Sequence, residues 1–161
     1  MPVPCLVDAG AGSAISVPAS TNAFLFAQGT NSSGKPTRLK RFTLTSNNTG
    51  ASQQTIELQL GTYATGSSTG GSSRTAVPVD HGLQGVYSPS TAFYCGTATM
   101  GTTFTNIWSG YWNTANPFDW QEGMLEIQDE FPVSKVWAII TPAGPANGCS
   151  AALIVWFEEF G

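Results

Sequence analysis

The sequence predicts an all-β protein: one antiparallel β-sandwich domain spanning residues 1–161, with a jelly-roll or similar Greek-key topology. Three observations predict it. The cleanest stretches free of Gly and Pro repeat with period two rather than 3.6. Gly (18 residues) and Pro (10 residues) interrupt nearly every window long enough for a stable helix. Only 10% of the residues are charged, against about 25% in an ordinary soluble domain. Small hydroxyl and amide side chains replace that charge, which suits strands, tight turns and an outer face that meets other protein. With 41% hydrophobic residues the chain still buries a core. At this length one domain removes roughly two-thirds of its unfolded surface from water.

The elements follow in order. Ala14 to Val17 and Ala23 to Ala27 read as the first strands. In Lys40 to Thr45, Phe42 and Leu44 share one face, with Thr43 and Thr45 opposite. In Thr55 to Leu60, Ile56, Leu58 and Leu60 alternate with polar residues. Asn47-Asn48-Thr49-Gly50 lies between these runs and tolerates positive φ, so the two strands are expected to form a hairpin. Ala64 to Arg74 is a Gly/Ser tract expected to be flexible. Val86 to Tyr87, Ala92 to Cys95 and Met124 to Gln128 are further strands. Between the last two lies a loop, polar at first and strongly aromatic over about 104–120.

The strands near the C-terminus differ in kind. Val136 to Ile140 and Ala151 to Phe157 are apolar on both faces, which predicts cover on both sides. The Pro/Gly-rich stretch Thr141 to Gly148 joins them, so an antiparallel hairpin is expected. The final strand runs to Phe160 and Gly161. Either it is central in its sheet, or a neighbouring subunit covers Trp156, Phe157 and Phe160.

Charge narrows the partners. The net charge is −4, and Lys35, Arg38, Lys40 and Arg41 form the one basic cluster. Counterion release from a nucleic-acid backbone requires more basic contacts than this, so no nucleic-acid partner is expected. The first Lys is at position 35, so the N-terminus lacks the basic region of a signal peptide, and cytoplasmic synthesis is expected. The longest apolar run, Ala151 to Phe157, is far short of a spanning helix, and no membrane partner is expected. Cys5, Cys95 and Cys149 are an odd, widely spaced set, read as reduced, packed thiols.

No catalytic, cofactor or metal residues are assigned, and the protein is not expected to be an enzyme. His81, the one histidine, follows Asp80, but neighbours on an extended chain point apart, and a turn role is preferred. Asp119, Glu122, Glu126, Asp129 and Glu130 lack calcium-loop spacing and read as a solvated strand face. The aromatic segment is sharper. Trp108, Tyr111, Trp112, Phe118 and Trp120 fall within Ile107 to Trp120, interleaved with small polar groups. Such rings plug a sandwich end, anchor a protein interface or stack on sugar. With Trp156 and Phe160 they form the set of interface candidates.

The run Leu44-Thr45-Ser46-Asn47-Asn48-Thr49-Gly50, then Ile56-Glu57-Leu58-Gln59-Leu60-Gly61, and the apolar strand ending Glu158-Glu159 resemble small β-sandwich structural proteins of tailed-phage virions. These are the head decoration or cement proteins. The resemblance implies a virion location, a homo-oligomer with a trimer preferred, binding to a capsid or other virion protein, and no catalytic residues. The alternative is a glycan-binding module or receptor-binding fibre domain. It would use Trp108, Tyr111, Trp112 and Trp120 as stacking platforms.

Overall fold

A computed structural model describes residues 1–8, 14–31, 35–47, 53–64, 71–89, 91–97, 103–123 and 135–160. Among them the chain forms strands and turns and no helix. The strands are β1 (Pro2–Asp8), β2 (Ile15–Val17), β3 (Phe24–Asn31), β4 (Thr37–Ser46), β5 (Thr55–Ala64) and β6 (Ser72–Arg74). They continue as β7 (Val77–Pro78), β8 (Thr91–Thr97), β9 (Thr105–Asn113), β10 (Phe118–Gln121), β11 (Lys135–Thr141) and β12 (Cys149–Phe160).

Two antiparallel sheets result. Sheet I has the order β10-β4-β12-β1-β7, with β2 against β12, and sheet II the order β6-β8-β3-β11-β5-β9. Within them, β10-β4-β12-β1 faces β9-β5-β11-β3, and the chain passes from β1 to β3 to β4 to β5, then from β9 to β10 to β11 to β12. That winding is an eight-stranded jelly roll with four short or peripheral additions, so the predicted fold class holds.

The common core fills the space between the sheets. Phe42, Leu44, Leu153, Val155 and Phe157 come from sheet I, and Phe26, Leu58, Leu60, Phe93 and Trp137 from sheet II. Phe93 sits at the junction, 5.0 Å from the Phe157 ring and 5.2 Å from the Trp137 ring. Trp137 fits because its strand partner is Gly29, where a Cβ would lie 2.4 Å from the indole.

Several expectations are corrected. β4 and β5 are not a hairpin: β4 pairs with β10 and β12, and β5 with β9 and β11. β11 and β12 likewise lie in different sheets. Period two reveals that one face is buried, but an arch between sheets buries it as well as a hairpin does. Val86 and Tyr87 lie in a turn, where both amides donate to the Leu83 carbonyl. The aromatic segment is two edge strands, β9 and β10. Ser72 to Arg74 of the Gly/Ser tract is strand β6, paired with β8, while 65–70 lie outside the described residues. The predicted strand Met124 to Gln128 and the acidic residues Glu126, Asp129 and Glu130 also lie outside them.

β1 was hidden by Pro2 and Pro4. Val79 N–H donates to the Pro4 carbonyl at 2.9 Å, so the polar edge of Pro4 faces β7 and not β12. Its missing N–H therefore costs the β1–β12 ladder nothing.

Candidate functional site

The outer face of sheet I is where apolar side chains meet solvent. Along β12, Leu153, Val155 and Phe157 point inward and are buried, while Ala152, Ile154, Trp156 and Phe160 point outward and are half-buried. The register lays Gln121, Arg41, Trp156, Leu6 and Val77 side by side across the sheet. Ile154 occupies the neighbouring row, between Thr43 and Asp8.

Charge on this face is organised. β4 bulges opposite Trp156 and Phe157, leaving Lys40 as an extra residue, so Lys40 and Arg41 both turn outward. The Arg41 guanidinium lies 4.9 Å from the Trp156 ring centre. It also forks onto Asp119, at 2.7 and 3.0 Å. These hydrogen bonds hold the Asp119 carboxyl below the usual carboxylate range and raise Arg41 above its ordinary value. Arg38 and Lys40 pair with Glu122, and Lys40 also reaches Glu158 at 3.9 Å. Burial pushes the Glu122 carboxyl up, but the bonds from Lys40 and Arg38 prevail and leave it lowered. Lys35 completes the set, 3.8 Å from Glu159. The basic cluster of the sequence is thus already paired with carboxylates inside the chain.

Glu159, on the inward side of β12, anchors the end of the sandwich. It is fully buried and accepts hydrogen bonds from Thr91 N–H (2.9 Å), the Thr91 hydroxyl (2.8 Å) and the Tyr87 hydroxyl (2.5 Å). Lys35 lies 5.0 Å from the Tyr87 ring centre. Burial, then the bond to Glu159, raises the Tyr87 phenol above its ordinary range. Tyr87 forms one wall of a groove of about 480 Å³, with Val77, Pro78, Gln84, Val86 and Pro89 around it. Val77 belongs to both the groove and the row through Trp156, and Val86 is 85% exposed. Val77 thus joins the row through Trp156 to the groove that Val86 lines.

The interface candidates separate into classes. Trp112 and Trp120 are 1% and 2% exposed, out of reach of a partner. Trp112 Nε1 donates to the Asn116 carbonyl at 2.8 Å, and Trp120 stacks on Phe42 with ring centres 5.4 Å apart. Trp108 and Phe118 are partly buried, 5.9 Å apart, and close the side of the sandwich where edges β9 and β10 meet. Trp108 lies across Gly110, where a Cβ would fall 2.4 Å from its ring. Tyr111 stands clear at 71% exposure, and Trp156 and Phe160 are half-exposed on sheet I. Most of the aromatic run is therefore a core plug.

His81 is exposed in a turn, where the Asp80 carboxylate accepts the Gly82 N–H at 2.8 Å. That carboxylate closes the turn on the backbone. The three cysteines are free and buried. Burial pushes Cys5 up to about 11, Cys95 up to about 12, and raises Cys149.

Leu6, Ile154, Val77 and Glu159 escaped the sequence reading as site residues. Ile154 carried a signal, since it repeats at period two with Trp156. Leu6 lies two residues after Pro4, Val77 adjoins Pro78, and neither shows alternation. No family model, curated protein or solved structure matches this chain.

Proposed function

We propose that this chain is a non-enzymatic structural protein of a virion, of the capsid decoration or cement type, which binds its neighbours through the outer face of sheet I. The observation that carries the reading is the row Arg41, Trp156, Leu6 and Val77 with its charges paired in advance. A partner covering this face buries apolar surface without stripping water from a lone charge, the step that most often makes an interface costly. The charge-poor composition supports the same reading, since like-charge repulsion between many copies on a lattice stays small.

Jelly rolls serve in capsids and in lectins alike, so the fold leaves the choice to the surface. The glycan-binding alternative loses support there. Of its four platforms, Trp112 and Trp120 are buried and Trp108 is partly buried. One flank of Trp156 is taken by Arg41.

Particle proteomics tests the reading. Virions purified from a lysate of the phage that carries this gene should contain the chain in numbers matched to the capsid lattice. Its absence from purified particles defeats the proposal.

A further inference from the structure

Among the described residues, the end strands of the two sheets are unequal. β7 has two residues and one is Pro78, β6 has three, and β10 has four with Asp119 among them. Short length, proline and charge are the ordinary ways of keeping an edge from pairing with other chains. β9 has none of these. Its nine residues, Thr105-Asn106-Ile107-Trp108-Ser109-Gly110-Tyr111-Trp112-Asn113, contain no proline and no charged side chain. Among the described residues it pairs with β5 alone. Asn106, Ser109, Tyr111 and Asn113 are exposed along it. One irregularity, opposite Leu60 and Gly61, leaves Trp108 to Asn113 in regular register.

We propose that β9 is a self-association strand: two copies pair β9 to β9, antiparallel about a two-fold axis at Gly110, and their two six-stranded sheets become continuous. Two features select a second copy as the occupant. A two-fold axis at Gly110 sets Ser109 opposite Tyr111 and leaves each of them diagonal to its own duplicate, so charges beside the axis would meet like charges, and β9 carries none. The axis also places complementary shapes together. Tyr111 of each copy lies beside Ser109 of the other, on the outward face, so a large ring meets a small side chain, and Gly110 meets Gly110 at the axis. This pairing closes at two copies, whereas the family resemblance points to three. It stands apart from the outer face of sheet I, so the two surfaces are tested separately.

Sedimentation of the full chain tests it. The wild type should be a dimer. The variants S109K/Y111K and S109E/Y111E change only exposed positions, and circular dichroism should show both folded. Each places two like-charge pairs across the axis, so each alone should dissociate at least about tenfold more readily. Mixed in equal amounts, they oppose Lys to Glu and should restore a dimer. A wild type that stays monomeric at high concentration, or charged variants that dimerise as well as it does, overturns the proposal. A monomer that is still found on purified particles overturns this pairing and leaves the decoration reading standing. A β9 dimer found on no particle does the reverse.

Discussion

β11 and β12 have the same kind of sequence and end in opposite environments. Val136-Trp137-Ala138-Ile139-Ile140 is buried on both faces. Trp137 and Ile139 enter the common core, while Val136, Ala138 and Ile140 join Leu25 and Tyr63 in a second apolar layer on the outer side of sheet II, against Phe104. In β12 burial alternates strictly from Cys149 to Phe160, and Ala152, Ile154 and Trp156 stay at the surface. Outward apolar residues thus carry two meanings. On sheet II they are buried and hold the fold together; on sheet I they stay half-exposed, and the proposed docking surface is built on them.

The sharpest way to break this comparison is to truncate matching aromatics. Trp137→Ala removes a fully buried indole that contacts Phe93 and lies over Gly29, and should cost about 3–5 kcal/mol in denaturant unfolding. Ile140→Ala, in the second layer, should cost about 2–4 kcal/mol for the same reason. Ile154→Ala should cost far less, since its side chain is already half in water. Equal losses at Ile140 and Ile154 would erase the distinction between the two outer faces.

Glu159 tests where the inward face of β12 stops being apolar. Glu159→Leu leaves Thr91 N–H, the Thr91 hydroxyl and the Tyr87 hydroxyl without this acceptor, removes the ion pair with Lys35, and should cost about 3 kcal/mol. Glu159→Gln keeps an acceptor and should cost less. Hydrogen exchange localises the effect: the turn from Asp80 to Val86 should lose protection in the Leu variant while β11 keeps its own. Loss spread evenly over both sheets would mean that Glu159 supports the whole sandwich and not its rim.

These contrasts explain what the sequence made legible. Apolar strands and the all-β class follow from period two and from Gly and Pro spacing, and both C-terminal strands were visible by composition. Their partners were not, because alternation fixes which face is buried and not which sheet receives it. β9 was concealed for a related reason. Its inward slots hold Trp108, Gly110 and Trp112, while Tyr111 faces out, so small and large residues invert the expected pattern. Of the candidate site, Trp156 and Phe160 were legible as interface candidates on the final strand. Leu6 and Val77 became part of it only through the register that sets them beside Trp156.

Acid separates the two faces more gently. Asp119 and Glu122 have folded pKa values below their ordinary ones. Their contribution is therefore complete above the ordinary carboxylate range, near pH 4, and is lost as pH falls through the folded values. Urea midpoints should drop on going from pH 5 to pH 3, and Asp119→Asn should remove part of that drop. If the Asn variant loses as much as the wild type, the acid sensitivity arises elsewhere.

The smallest expected effect on stability tests the proposed role most directly. Trp156 is half-exposed, and its visible partner is the Arg41 guanidinium, itself held by Asp119. A surface cation–π contact is worth about 0.5–1 kcal/mol, so Trp156→Ala should barely move the unfolding midpoint of the isolated chain. The same ring lies at the centre of the row from Gln121 to Val77. A central aromatic of an interface costs about 2 kcal/mol or more when truncated, a loss of roughly thirtyfold in affinity. Cosedimentation with purified particles should therefore fall sharply for Trp156→Ala while the fold remains intact. Tyr94→Ala, an exposed aromatic of β8 in sheet II outside both proposed surfaces, should leave particle binding unchanged. If Trp156→Ala binds particles as the wild type does, the outer face of sheet I is not the docking surface, and its apolar row is ordinary exposed sheet.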